Sequence, residues 1–374
     1  MSAAKQPPRP MARIVVGESP LRVWGLATPQ RLDRQLAKAN VAIEPSAPRS
    51  VLLRADWIYD EALVRALALS ASDVALTAAD GRVVGLNVAS TGAGIATERL
   101  QRLEAPEGIP HKTPAQLADG YNDVLRKREP PYLLELTAAA LPAIERRIFG
   151  GAYKGVTDLV TLYVWPAPAR GVTRFCAKTG ITPNQVTTVS LLLVFAAFAA
   201  FWTGHFALGL LAAWPMTFLD TVDGKLARVT LRSSPLGNVY DHSIDLIHPP
   251  FWWWAWIVGL PAAGFTLEQS SLVLTAIVAG YLLQRIEEGI FIAWFKMDMH
   301  VWQRFDSKFR LVTARRNPNL LILTASLLAG RPDLGIVVVA IWTVICLAVH
   351  ALRIVQAAWA RRRGPLRSWL AAPG

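Results

Sequence analysis

Asp220-Thr221-Val222-Asp223-Gly224-Lys225-Leu226-Ala227-Arg228, followed after eight residues by Gly237 and then by Asp241 and Asp245, is the stretch on which the reading turns. Carboxylates are costly in hydrocarbon, yet Asp220 and Asp223 end one apolar run while Asp241 and Asp245 open the next. On helices, spacings of three and four residues put each pair on one face, so two antiparallel neighbours would aim all four carboxylates into a shared pocket. Such a cluster repels itself without cations. An all-oxygen donor set suits Mg²⁺ or Mn²⁺ rather than zinc, which wants His or Cys. The competing reading, helix caps and ion pairs to Arg228 and Arg232, leaves the rest of the spacing unexplained.

On either side of this stretch the chain is strongly apolar. Six runs are candidate bilayer spans: 186–203, 206–219 with its continuation, 244–260, 272–294, 320–328 with its flanks, and 336–356, the fifth being short. An even number puts both ends on one side. The basic residues Lys308, Arg310, Arg315 and Arg316, with the tail Arg361-Arg362-Arg363, assign that side to the cytoplasm. Over all 374 residues, 53% are hydrophobic and 18% charged, which excludes an ordinary soluble domain. The 39 basic against 27 acidic residues give +12, a balance suited to lipid headgroups, nucleotides or phosphorylated substrates. Cys176 and Cys346 supply neither a disulfide framework nor a zinc spacing.

The first part of the chain reads differently. From residue 13 to 145, short β-rich runs (13–16, 50–53, 73–77, 82–87) alternate with helical stretches (29–40, 60–69), the pattern of an α/β domain, and Asp80-Gly81 signals a hairpin. The polar, proline-containing stretch 105–131 is an excursion or a linker. MSAAKQPPRPMARIVV lacks the continuous apolar run of a signal peptide, so this part is expected in the cytoplasm. Between 151 and 180, Val156, Leu159, Val160, Tyr163 and Val164 are flanked by Lys154, Arg170, Arg174 and Lys178. That pattern predicts a surface-lying juxtamembrane helix interrupted by Pro166 and Pro168, against a plain connector packed on the soluble domain. The expected organisation is a soluble α/β domain (1–145), an amphipathic linker (146–180), an all-α six-helix transmembrane domain (181–360) and a basic tail (361–374).

The aspartate stretch resembles, at every specified position, the signature D-x2-D-G-x2-A-R-x8-G-x3-D-x3-D of the CDP-alcohol phosphotransferase family. Ile181-Thr182-Pro183-Asn184, leading into the first apolar run, is also similar, so the resemblance covers about residues 154–356. It implies a six-helix membrane enzyme, usually a homodimer, that moves a phosphoalcohol from a CDP-alcohol to an acceptor hydroxyl and releases CMP. It further implies that Asp220, Asp223 and Asp241 bind metal, with Asp245 at a second Mg²⁺ or Mn²⁺ ion and acting as general base. The CDP-alcohol would lie against Asp220, Asp223, Gly224, Ala227, Arg228 and Gly237, where missing side-chain bulk lets the nucleotide approach backbone.

For the acceptor, the resemblance implies that the spans near Arg285, within the fourth run, and near Lys308, Arg310, Arg315 and Arg316, before the fifth, flank the pocket. Guanidinium groups there suit bidentate contacts to a phosphorylated polyol, and the resemblance to inositol-phosphate-using members favours inositol phosphate. The plainer alternative pairs Arg285 with Glu288 and treats the rest as topology signals. The expected protein is a multi-pass enzyme of phospholipid synthesis in a bacterial inner membrane. Its N-terminal domain and active site would face the cytoplasm, its donor would be CDP-diacylglycerol, and it would have no nucleic-acid partner. Two rivals are a di-inositol-phosphate-type solute synthase with an active cytidylyltransferase domain, and a non-enzymatic ion-binding membrane protein. The N-terminal domain is loosely similar to sugar-nucleotide and cytidylyltransferase domains. Its loop, Val15 to Arg22, keeps one Gly and one Arg, which points to a degenerate structural or regulatory domain with Asp56 and Arg22 as residual candidates. Phe251-Trp252-Trp253-Trp254-Ala255-Trp256 reads as an interfacial aromatic belt in preference to a base-stacking site. His242 and His248 flank Asp245 without a partnering Cys and do not read as zinc ligands, and Thr91-Gly92-Ala93-Gly94 reads as a plain turn.

Overall fold

Short runs rich in Val and Leu build a mixed sheet in the first part of the chain, and long apolar runs build helices in the rest. The computed structural model describes residues 7–233 and 235–371; the first six residues of the N-terminal segment, Ser234 and the last three residues of the basic tail lie outside the described residues. The chain divides into two units. One gathers the chain up to Asn122, Arg128–Ala152 and Arg228–Arg232; the other gathers Asp123–Lys127, Tyr153–Ala227 and the chain from Ser233 onward.

In the first unit, strands β1 (Arg9–Val16), β2 (Val41–Ile43), β3 (Arg49–Arg54), β4 (Val74–Thr77), β5 (Val83–Ala89) and β6 (His111–Lys112) form a sheet of order β2-β1-β3-β5-β4-β6. β1 runs parallel to β2 and β3, whereas β5 is antiparallel to β3 and β4. Alternation decides which side each residue covers. Val51 and Leu53 face helices α1 (Thr28–Lys38) and α2 (Glu61–Leu69), while Leu52 faces α3 (Ala93–Gln101) with Leu86 and Val88. Asp60 caps α2 by accepting from the Ala62 N–H. The Asp80-Gly81 turn forms as expected, Gly81 taking φ +87° between β4 and β5.

One expectation is corrected here. Thr91 to Gly94 is not a plain turn, because a 3-10 turn at Ser90–Gly92 runs directly into α3. Within 105–131, the alternatives resolve in part: β6 pairs parallel to β4 and extends the sheet, while Asp123–Lys127 is grouped with the second unit. The α/β domain is completed by α4 (Leu141–Gly151).

The second unit is helical: α5 (Pro166–Thr179), α6 (Pro183–Trp202), α7 (Phe206–Val229), α8 (Pro235–Gly259), α9 (Ser270–Phe295), α10 (Arg304–Phe309), α11 (Arg316–Leu328) and α12 (Pro332–Arg361). Pro166 and Pro168 do not interrupt α5. They occupy its first turn, where N–H groups have no intrahelical acceptor and a fixed φ helps the helix start. Gly180 closes α5 in the left-handed conformation, and Thr182 and Gln185 cap α6 reciprocally.

A helix occupies each of the six apolar runs, but among the described residues only α6 and α12 are by length and composition apolar enough to cross a membrane, with hydropathies of 1.8 and 2.5. Charge explains part of the difference: α7 and α8 carry the aspartates, and α9 carries Arg285, Glu287 and Glu288. Length explains another part, because the 13 residues of α11 rise only about 20 Å.

The tryptophan run is not an interfacial belt. Trp252 and Trp256 are fully buried and Trp253 nearly so, inside a core with Phe201, Phe206 and Met216. Burial is tolerated because the indole N–H groups find partners: Trp252 donates to the Val194 carbonyl at 3.0 Å and Trp256 to the Pro332 carbonyl at 3.1 Å. Only Phe251 and Trp254 of this run keep substantial exposure.

Candidate active site

α7 carries Asp220 and Asp223 one turn apart, and α8 carries Asp241 and Asp245 one turn apart. One carboxylate oxygen from each of Asp220, Asp223 and Asp241 lies within 4.8 Å of the other two. At an effective dielectric of about 20, two ionised carboxylates at that separation repel by on the order of 3 kcal/mol. Asp223 is buried, while Asp220 and Asp241 are half-buried. The Thr187 hydroxyl, from α6, donates to Asp223 Oδ2 at 2.6 Å, and Asp223 Oδ1 is buried with no hydrogen-bond partner among the described residues. A buried carboxylate oxygen without a donor carries a desolvation penalty that a cation would remove. The converging all-oxygen donors fit Mg²⁺ or Mn²⁺ by ligand type.

Asp245 stands outside this group of three. Its side chain is 41% exposed, and Arg316 Nη1 from the start of α11 donates to its Oδ1 at 2.5 Å. The second guanidinium nitrogen of Arg316 pairs with Asp220. Arg316 therefore spans both helices' carboxylates, a position the sequence reading had assigned to acceptor binding. Arg228, considered as a counter-ion, directs Nε to the Ala152 carbonyl at 2.9 Å. Gly224 is next to Asp223, Ala227 is one turn beyond Asp223, and Gly237 is one turn before Asp241.

The remaining basic candidates divide. Arg285 Nη2 donates to Glu288 Oε1 at 3.2 Å, as the plainer alternative expects, and Arg315 pairs with the same oxygen. His300 Nε2 lies 3.3 Å from it. Arg310 keeps buried Nε and Nη1 without hydrogen-bond partners among the described residues. Burial lowers its basicity against the attraction of Asp158. At Asp158 itself burial pushes the carboxyl up, but Arg310 and hydrogen bonds from Thr161 and Asn317 outweigh it and hold it below the usual range. Lys308 is exposed.

Around Asp245, His248 is buried with Nδ1 on the Ile244 carbonyl at 2.6 Å, and exposed His242 brings Nδ1 to 3.8 Å from Asp241 Oδ2. In the α/β unit, Asp56 is held by Arg54 through Nε at 2.8 Å and Nη2 at 2.7 Å, and Arg22 donates to the Gly25 carbonyl at 3.4 Å.

Two contributors escaped the sequence reading. Thr187 is one of several threonines near the start of α6, and the tie from Arg316 to Asp220 crosses 96 positions, so no local pattern announces either.

Residues 180–310 match the model of the CDP-alcohol phosphatidyltransferase family. The chain is 35% identical over 78 residues to an archaetidylinositol phosphate synthase of Pyrococcus horikoshii, covering 21% of this chain and 42% of that protein. It is 38% identical over 92 residues to choline/ethanolaminephosphotransferase 1 of Arabidopsis thaliana, covering 20% of this chain and 23% of the relative. It is 25% identical over 192 residues to a bifunctional IPC transferase and DIPP synthase of Rubrobacter xylanophilus, covering 50% and 40%. The chain thus spans less than half the length of each of these relatives.

Proposed function

We propose, from the premise that residues 180–310 form a CDP-alcohol phosphatidyltransferase domain, that this chain is a multi-pass membrane transferase using a CDP-alcohol, with CDP-diacylglycerol the favoured donor. The observation that carries the reading is the convergence of Asp220, Asp223 and Asp241, of which Asp223 keeps a buried carboxylate oxygen without a hydrogen-bond partner among the described residues. Asp220, Asp223, Asp241 and Asp245 would hold two Mg²⁺ or Mn²⁺ ions. Bound there, the metals supply charge neutralisation for the diphosphate and for the transition state. Asp245 accepts the proton of the acceptor hydroxyl as its oxygen bonds to the phosphorus carrying the donor's alcohol; the bond from that phosphorus to CMP breaks. Arg316 fixes Asp245 Oδ1, and the remaining exposure of the side chain leaves it reachable. Gly224, Ala227 and Gly237 leave space for the nucleotide, and Arg228 supplies positive charge beside it.

In this reading the helices of the six apolar runs, α11 the shortest, form the membrane domain of a homodimer with the site on the cytoplasmic side. α5 lies along the surface, with Phe175 exposed beside Arg174 and Lys178.

The acceptor is a phosphorylated polyol. Supporting this are the excess of arginines at Arg285, Arg310 and Arg315 over Glu288 and Asp158, and the partnerless nitrogens of Arg310. Lys308 adds to the positive charge nearby in sequence. Inositol phosphate should therefore be preferred over free inositol, and Arg285→Gln and Arg310→Gln should each raise its KM about tenfold, the loss of roughly one charge-assisted contact. Preference for the unphosphorylated alcohol, or an unchanged KM in both variants, rules this acceptor out.

A bifunctional reading draws support from the 192-residue alignment with the Rubrobacter protein. Against it, Asp56 is already neutralised by Arg54, and the loop after β1 offers few groups for a triphosphate. Full-length protein given CTP and phosphorylated alcohols should release pyrophosphate only at the rate of a blank; faster release would establish the bifunctional reading.

A further inference from the structure

Thr187 lies one turn inside α6 and is 5% exposed. Its hydroxyl has one proton and two acceptors within reach: the Pro183 carbonyl at 3.1 Å, the ordinary partner four residues back in a helix, and Asp223 Oδ2 at 2.6 Å. The carboxylate oxygen is the nearer acceptor and takes the proton, a bond that strengthens when the carboxylate is ionised around a cation. The other oxygen of Asp223, Oδ1, is the buried atom left without a partner. A carboxylate tethered at one oxygen by a rigid donor has its second oxygen's direction fixed.

We propose that Thr187 is a positioning residue that holds Asp223 Oδ2 and so keeps Oδ1 directed at the divalent cation shared with Asp220 and Asp241. This rests on the metal assignment made above. The donor is itself held in place. Pro183 and the reciprocal Thr182–Gln185 cap fix the start of α6, and Ser190, one turn beyond Thr187, donates to the Met216 carbonyl of α7 at 3.1 Å. The segment Ile181-Thr182-Pro183-Asn184 thereby acquires a task at the site: it sets the height of Thr187 beneath Asp223.

The test is Mn²⁺ binding, followed by electron paramagnetic resonance on the full-length protein in detergent without substrates. Thr187→Val keeps the shape and removes the donor; it should weaken Mn²⁺ binding by about 10–100-fold, the usual effect of losing a group that orients a metal ligand. Thr187→Ser should recover most of that loss, which a role confined to packing would not produce, and melting curves recorded in chelator report whether each variant is folded. Unchanged Mn²⁺ affinity in folded Thr187→Val, with normal binding by the wild type, overturns the role of Thr187 alone. Failure of Thr187→Ser to recover affinity while folded also overturns it. Absence of Mn²⁺ binding by the wild type overturns this proposal together with the metal reading beneath it.

Discussion

Asp245→Asn should release CMP about 10²–10⁴-fold more slowly than wild type while still binding the CDP-alcohol donor, the magnitude expected for removing a general base. The asparagine carbonyl still accepts from Arg316, so the position of the side chain survives, and the group that takes the proton does not. Donor binding survives because Asp245 lies outside the close group of Asp220, Asp223 and Asp241 and is the more exposed carboxylate. Steady-state CMP release and equilibrium binding of a labelled CDP-lipid measure the two effects separately. Near-normal turnover would remove Asp245 from the chemistry, and a loss of donor binding as large as the loss of turnover would leave it the ligand role alone and take away its role as base.

Much of this site was legible in the sequence because its cost is visible there. Aspartates at the edges of apolar runs need a reason, and their spacing of three and four residues already implied shared helix faces. The sheet was legible through short β-rich runs and the Asp80-Gly81 turn, both local devices. What the sequence could not convey was pairing between distant helices. Nothing near Arg316 distinguishes it from Arg310 or Arg315, yet it reaches Asp220 and Asp245, while Arg315 turns to Glu288. The tryptophan run failed for a related reason. A belt and a buried core use the same residues, and only the carbonyls of Val194 and Pro332, supplied by other helices, make the second arrangement tolerable. Pro166 and Pro168 were misjudged because a proline breaks a helix interior but suits its first turn.

The central claim is that the aspartate cluster binds divalent cations and that the reaction requires them. Removing one carboxylate from the close group takes away a ligand and leaves its neighbours' donor set incomplete, so Asp220→Asn or Asp223→Asn should lose metal and nucleotide together. The effect should be largest for Asp223, whose Oδ1 has no hydrogen-bond partner among the described residues. The most direct measurement is CMP release by purified full-length protein stripped with chelator and then supplied with CDP-diacylglycerol and inositol phosphate. Wild type should be silent until Mg²⁺ or Mn²⁺ is restored and should then recover, whereas Asp223→Asn should stay silent at the same metal concentration; CMP release by the stripped wild type, or full recovery by Asp223→Asn, would contradict the account.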